Sequence, residues 1–174
     1  LAHPEISVDV YDRLPTPHGL VRAGVAPDHP DTKAVEHLFR AVEDHPRFRY
    51  FLNVTVGRDL RLEDLRAQYD AVLYAVGAAS DRRLGIPGEH RPGSVSATAV
   101  VGWYNGHPDH AGLDVPLDHE RAVVIGNGNV ALDVARILTA DPAALERTDL
   151  AALPWAALSR SSVREVVVLG RRGP

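Results

Sequence analysis

The residues best suited to chemistry form a short glycine pattern, Gly126-x-Gly128-x-x-Ala131, between an apolar run and a helical pattern. In a turn from a strand into a helix, the first glycine permits a tight bend and the second lets the backbone approach a pyrophosphate. Ala131 lets the helix pack close to the strand, and the N–H groups at the helix start face the anion. The pattern predicts a dinucleotide-binding turn; the alternative is a tight turn without a ligand.

Two arginines, Arg171 and Arg172, follow the next apolar run at residues 163–169. An acidic residue at this place binds the ribose hydroxyls of NAD, whereas arginine accommodates the 2′-phosphate of NADP. The distance from Gly126 exceeds the usual spacing of about 20 residues, and a helical insertion at residues 141–162 accounts for it. The pair predicts NADP rather than NAD; the alternative is a solvated basic turn.

Asp12 ends the first predicted strand and has the position of an acid that binds the ribose of an adenine nucleotide. Many strands end in Asp, so this position alone is weak support. The strand and glycine-rich turn that should precede Asp12 are not in the sequence, and the sequence contains no Met. We therefore expect the chain to be an internal piece of a longer protein.

Alternating strands and helices are predicted around these residues. Strands are expected at residues 6–11, 48–56 (one strand or two short ones), 71–76, 122–125 and 163–169, and helices at about 31–45, 62–69, 97–105 and 129–138. The run at 71–76 is apolar enough to be buried on both faces, as in a parallel sheet. This order predicts an α/β fold with parallel sheets, and the pattern restarts near Arg121 as a second nucleotide-type domain.

The composition excludes several classes of protein. The chain of 174 residues is 45% hydrophobic and 24% charged, with a net charge of −4 and no cysteine. Scattered basic residues argue against nucleic-acid binding, and the lack of thiols excludes a disulfide scaffold or a thiolate metal site. His107, Asp109 and His110 form a lone loop cluster that makes a poor metal site, so we predict no metal. No apolar run could span a membrane, and the cytoplasm is the expected location.

Four segments are similar to signatures of the adrenodoxin reductase-like ferredoxin–NADP reductases, with the bacterial members closest. They are residues 19–30 (GLVRAGVAPDHP), 101–105 (VGWYN), 128–136 (GNVALDVAR) and 170–174 (GRRGP). The resemblance covers essentially the whole chain in order. It implies Rossmann-like parallel sheets of the glutathione-reductase type in two nucleotide-binding domains, both incomplete. Residues 1–119 would be part of the FAD-binding domain and residues 120–174 the first part of the NADP-binding domain.

The resemblance also implies an activity, in which NADPH passes a hydride to FAD and FAD passes single electrons to a ferredoxin. It assigns Asp12, Leu20 and Val56 to FAD, although the family usually has Glu in place of Asp12. His29 matches a catalytic histidine near the flavin and nicotinamide; the alternative is a loop histidine capped by Asp28. The resemblance assigns the following residues to NADP: Asn127, Gly128, Asn129 and Val130 to its pyrophosphate, and Arg171 and Arg172 to its 2′-phosphate.

Two other functions stay open at the level of sequence. One is a non-catalytic module that binds NADP and holds no flavin. The other is a related NADPH-dependent flavin reductase with an acceptor other than ferredoxin. In either reductase we expect the 174 residues alone to be inactive and to bind FAD poorly, because the flavin pyrophosphate turn is not among them.

Overall fold

A computed structural model describes residues 3–78 and 80–170 of the chain. Its strands are β1 (Val8–Asp12), β2 (Phe48–Leu52), β3 (Arg121–Ile125) and β4 (Glu165–Leu169). Its helices are α1 (Gly19–Ala23), α2 (Pro30–Lys33), α3 (Glu36–Glu43), α4 (Leu62–Gln68), α5 (Ala97–Tyr104), α6 (Asn129–Thr139), α7 (Pro142–Leu145) and α8 (Ala152–Leu158), with a 3-10 helix at Pro108–His110. Within those residues no helix is long and apolar enough to cross a membrane.

The strands form two separate parallel pairs. In the first pair Val8 lies opposite Phe48, and Asp12 lies opposite Leu52. In the second pair β3 runs beside β4, and α6 forms the crossover that parallel strands require. The predicted α/β class with parallel sheets is confirmed. Predicted site residues lie at the carboxyl end of each pair, with Asp12 the last residue of β1 and Gly126 directly after β3. Open α/β sheets bind ligands at this end.

The main core joins α5 to the second strand pair. Its buried side chains come from α5, α6, α7 and α8: Val100, Val101, Trp103, Tyr104, Val134, Ile137, Leu145 and Leu158. Half-buried Val124 of β3 packs against this cluster. The core therefore crosses the boundary predicted between residues 119 and 120, because the apolar α5 finds its partners in the helices that follow β3.

The prediction of a buried strand at residues 71–76 is wrong. This segment has no regular secondary structure and pairs with no strand among the described residues. Leu73 is 91% exposed and Val76 is 85% exposed. An apolar run becomes a buried strand only where neighbouring strands and helices cover it, and within residues 3–78 and 80–170 nothing does so here.

The predicted helix after Asp31 is divided into two short helices. Pro30 is the first residue of α2 and His29 is its N-cap, so Asp31 is not the cap. The fixed φ of proline suits the first position of a helix, which explains the earlier start. Leu38 and Val42, on α3, are exposed, and so is Val130 at the start of α6.

Candidate nucleotide-binding site

The turn from β3 into α6 has the backbone conformation that the glycine pattern predicts. Gly126 has a φ of 125°, which favours glycine, and its N–H donates to the carbonyl of Leu169 at 2.8 Å. Gly128 is the N-cap residue of α6, with an extended backbone. Among the described residues no side chain caps this helix, so its first N–H groups are available to an anion.

The surface of this turn is open. An ideal Cβ built on Gly126 or Gly128 meets no atom within 4 Å. Asn127, Asn129 and Val130 are exposed beside them, whereas Ala131 is buried against the sheet. The turn therefore fits a pyrophosphate: space on the outer side, backbone donors at a helix start, and a small residue where helix and strand approach.

Asp12 lies at the carboxyl end of β1 in a local turn. Its Oδ1 accepts a hydrogen bond from the N–H of Leu14 at 2.9 Å, and its carbonyl accepts from Val54 at 3.0 Å. These bonds fix the direction of the carboxylate. Its second oxygen, Oδ2, forms no hydrogen bond within the part of the chain that the structure describes, so it is available to a ribose hydroxyl.

Leu20 and Val56, the residues predicted to contact FAD, are apolar and exposed. Leu20, on α1, is 78% exposed and borders an open, mostly apolar cavity of about 440 Å³. Val10, Phe39 and Tyr50 line the same cavity. Val56 is in the turn after β2, two residues beyond the Val54 that bonds to Asp12. The structure thus brings Asp12 and Val56 to one end of the first strand pair.

His29 is half-buried at the start of α2, and its carbonyl accepts from the N–H of Lys33 at 3.2 Å. The neighbouring Asp28 does not cap it with its side chain. Asp28 instead accepts two hydrogen bonds from Arg136 on α6, at 2.5 and 2.9 Å. The loop that carries His29 is therefore tied to the helix that begins at the glycine turn.

Sequence reasoning missed the roles of three charged residues that join distant segments. Besides Arg136 and Asp28, the chain's only lysine, Lys33, donates to Asp149 at 2.6 Å and to Asn105 at 3.0 Å. Asp133 and Arg136, three residues apart on α6, could have been paired from helical spacing alone. The longer-range partners carry no local signal in the sequence.

Arg13 holds the histidine-rich loop at residues 107–110 in place through an ion pair with Asp109. Its guanidinium donates to both carboxylate oxygens of Asp109, at 3.0 and 2.5 Å, and holds the pKa of that carboxyl below its usual range. His107 accepts from the backbone N–H of Asp109 at 3.2 Å. This loop is thus anchored to the segment after β1, next to Asp12. Arg171 and Arg172, the predicted 2′-phosphate residues, lie outside the described residues.

A parallel β-α-β unit with a glycine turn after its first strand is typical of Rossmann-type folds. The sequence model of the pyridine nucleotide-disulphide oxidoreductase family matches residues 32–168. The chain belongs to this family.

Relatives within the family agree with the resemblance found in the sequence. The chain is 59% identical to the probable ferredoxin/ferredoxin–NADP reductase of Mycobacterium leprae over 174 residues, which is 100% of this chain and 31% of that protein. It is 52% identical to the mitochondrial NADPH:adrenodoxin oxidoreductase of Arabidopsis thaliana, over 99% of this chain and 36% of that one. The resemblance to adrenodoxin reductase-like ferredoxin–NADP reductases is confirmed.

A solved structure is similar over nearly the same length. Mycobacterium tuberculosis FprA in complex with NADPH superposes with a TM-score of 0.94 at 55% identity, covering 97% of this chain and 37% of that one. The chain therefore spans about a third of the length of the relatives that it matches.

Proposed function

We propose that this chain supplies the central part of an FAD-containing ferredoxin–NADP(+) reductase, which passes electrons between NADPH and a ferredoxin. The observation that carries the proposal is the close superposition on the NADPH complex of FprA, which covers 97% of this chain. The open turn at Gly126 and Gly128 supports it. The relatives' names supply ferredoxin as the partner and NADPH as the electron donor. FAD follows from the resemblance stated above and from the geometry around Asp12.

The two strand pairs support a proposal of two nucleotide sites. We assign residues 1–119 to the FAD-binding domain, in which Asp12 would hold the ribose and Leu20 and Val56 would contact the cofactor. Residues 120–174 would begin the NADP-binding domain. There the pyrophosphate would meet the backbone at Gly126, Asn127, Gly128, Asn129 and Val130, and Arg171 and Arg172 would bind the 2′-phosphate. Helix α5 of the first range packs against α6 of the second, so the two ranges share one core.

The cofactors supply the redox chemistry, and the protein supplies position and electrostatics. FAD, when bound, would supply the exchange between the two-electron chemistry of a nicotinamide and the one-electron chemistry of an iron–sulfur partner. His29 is proposed to stand near the reacting rings, because its loop is held against the nucleotide helix by Asp28 and Arg136. The carboxylate of Asp12 would fix the adenosine end of FAD.

The test is purification of the full-length polypeptide that contains this sequence. We expect bound flavin near one per chain, bleaching of its absorption by NADPH, and reduction of cytochrome c that requires added ferredoxin. A colourless protein that still binds NADPH would indicate a binding module instead. Flavin that NADPH reduces but that no ferredoxin reoxidises would indicate a reductase with another acceptor.

Nucleotide preference is tested by replacing Arg171 and Arg172 together with alanine. Two guanidiniums can bind a phosphate through paired hydrogen bonds, so their loss should weaken the binding of NADPH far more than the binding of NADH. Equal losses for both nucleotides would contradict the assignment. The proposed cytoplasmic location is checked by cell fractionation and immunoblotting.

A further inference from the structure

A bidentate ion pair connects two parts of the chain that are 108 residues apart. The Nε of Arg136 donates to Asp28 Oδ2 at 2.5 Å, and its Nη2 donates to Asp28 Oδ1 at 2.9 Å. Asp133, one helical turn earlier, accepts from the same Nη2 at 2.9 Å. Planar guanidinium and carboxylate groups joined by two parallel bonds have one preferred geometry, so this pair fixes orientation as well as distance.

The two ends of the pair are close to the two centres of the proposed site. Asp28 immediately precedes His29. Arg136 is on α6, seven residues after Asn129, which places it about 10 Å along the helix from the nucleotide turn. Val134 and Ile137 pack α6 into the core, so the nucleotide turn at its start and Arg136 keep a fixed distance from each other.

A second ion pair holds the other end of the same short segment. Lys33 donates to Asp149, and Lys33 also donates to Asn105 at the end of α5. Residues 29–32 therefore lie between two attachments to the part of the chain that contains α5 and α6. One attachment would fix a point, whereas two also limit rotation about it.

We propose that Asp28 and Arg136 are positioning residues that hold His29 at a fixed place relative to the NADP turn. The inference rests on the proposed function and adds a coupling between its two nucleotide sites. Neither residue touches the reacting atoms. Their role is to make the segment with His29 and the helix that receives the pyrophosphate move as one body, so that a bound nicotinamide meets the flavin in one geometry.

The experiment uses the full-length flavoprotein with Asp28→Asn, Arg136→Gln, the double variant and Arg136→Lys. Flavin content is measured first for each variant. Stopped-flow absorbance then gives the rate at which NADPH reduces the bound flavin, and difference spectroscopy gives the Kd of NADP(+). Hydrogen–deuterium exchange of residues 26–33 in the unliganded protein supplies a readout independent of turnover.

We expect each single substitution to slow flavin reduction by about tenfold, with the Kd of NADP(+) changed less than about twofold, since small misplacement costs rate more than affinity. The double variant should be no slower than the slower single variant, because both remove the same connection. Arg136→Lys keeps the charge and should recover part of the rate. Exchange in residues 26–33 should increase in every variant without the ion pair.

The matched control is Arg121→Gln, which removes an ion pair to Glu165 between β3 and β4, within one strand pair. It should leave flavin reduction and the exchange of residues 26–33 unchanged. Unchanged reduction rates in the Asp28 and Arg136 variants, with or without faster exchange, would overturn the positioning role. A wild-type protein whose flavin NADPH does not reduce would instead overturn the proposed function, and the inference with it.

Discussion

At the scale of single residues, the two glycines of the nucleotide turn have different requirements. Gly126 needs its φ of 125°, whereas Gly128 has a φ that any residue can adopt. Gly126→Ala should therefore lower the free energy of unfolding by about 1–3 kcal/mol, the usual cost of such backbone strain. Urea denaturation of the two alanine variants checks this difference.

Gly128→Ala should instead weaken the binding of the nucleotide. Its Cβ meets no protein atom, so the change in stability should stay within about 0.5 kcal/mol. The methyl group would stand where the pyrophosphate approaches the backbone, and the Kd of NADP(+) should rise about tenfold or more. Equal affinity for NADP(+) in Gly128→Ala and wild type would count against the site.

The residues of this turn could be predicted because their signal is local. Gly126, Gly128 and Ala131 lie within six positions and between recognisable elements. The bond between Asp28 and Arg136 could not be predicted, since 108 residues separate them and neither is unusual in its own segment. Asp12 was identified by its place at a strand end, but the turn that directs its carboxylate became visible only in three dimensions.

At the scale of elements, Gly102 of α5 lies close to His110 of the 3-10 helix Pro108–His110. An ideal Cβ on Gly102 would lie 2.3 Å from Cδ2 of His110. Gly102→Ala should destabilise the protein by about 1–3 kcal/mol because the His110 ring must move in a packed region. Thermal unfolding followed by circular dichroism measures the loss.

Two variants distinguish steric overlap with His110 from the effect of alanine's higher helix propensity at position 102. Gly112→Ala adds a methyl group that meets nothing within 4 Å, so its stability should be close to that of wild type. In a His110→Ala background, Gly102→Ala should be neutral or stabilising, because alanine is the better helix former and the overlap is gone. A loss that persists in that background would show that His110 is not the cause.

The helices were more predictable than the strands. The sequence predicts α4, α5 and α6 to within a residue or two, because helical hydrogen bonds lie within one segment. Residues 71–76 have the composition of a buried strand, yet a strand depends on partners that its own sequence does not contain. The segment of α2 is likewise tied to distant residues, through Asp28 before it and Lys33 at its end.

At the scale of the whole molecule, the ion pair between Asp28 and Arg136 should be insensitive to pH near neutrality. Hydrogen bonds from Arg136 lower the pKa of Asp28, against the opposing effect of burial. Since the native pKa is below the unfolded value of about 4, the stabilisation is complete above pH 4 and is lost as the pH falls through the native pKa. A double-mutant cycle on Asp28→Asn and Arg136→Gln, by urea denaturation, should give about 1 kcal/mol from pH 5 to 8 and less below pH 4. A coupling that declines between pH 8 and 5 would contradict this.

The exposed apolar segment at residues 71–76 should govern self-association of the 174-residue chain. Leu73 and Val76 leave most of their surface in water and their backbone is unpaired among the described residues, a combination that promotes edge-to-edge contact. Replacing both with serine should reduce the apparent mass in light scattering at high concentration. Leu153→Ser, at a similarly exposed position on α8 (73%), is the control and should change nothing.

Lys33 carries the only side-chain amine of this chain, and its ion pair makes the reactivity of that amine a measure of local opening. Its side chain is 11% exposed, and two acceptors hold its ammonium group. An acylating reagent can react with this nitrogen only after the bonds to Asp149 and Asn105 open and the proton leaves. The labelling rate of the one peptide that contains Lys33, followed by mass spectrometry, should therefore rise several-fold in Asp149→Asn. Opening of this segment can thus be followed in solution at a single nitrogen atom.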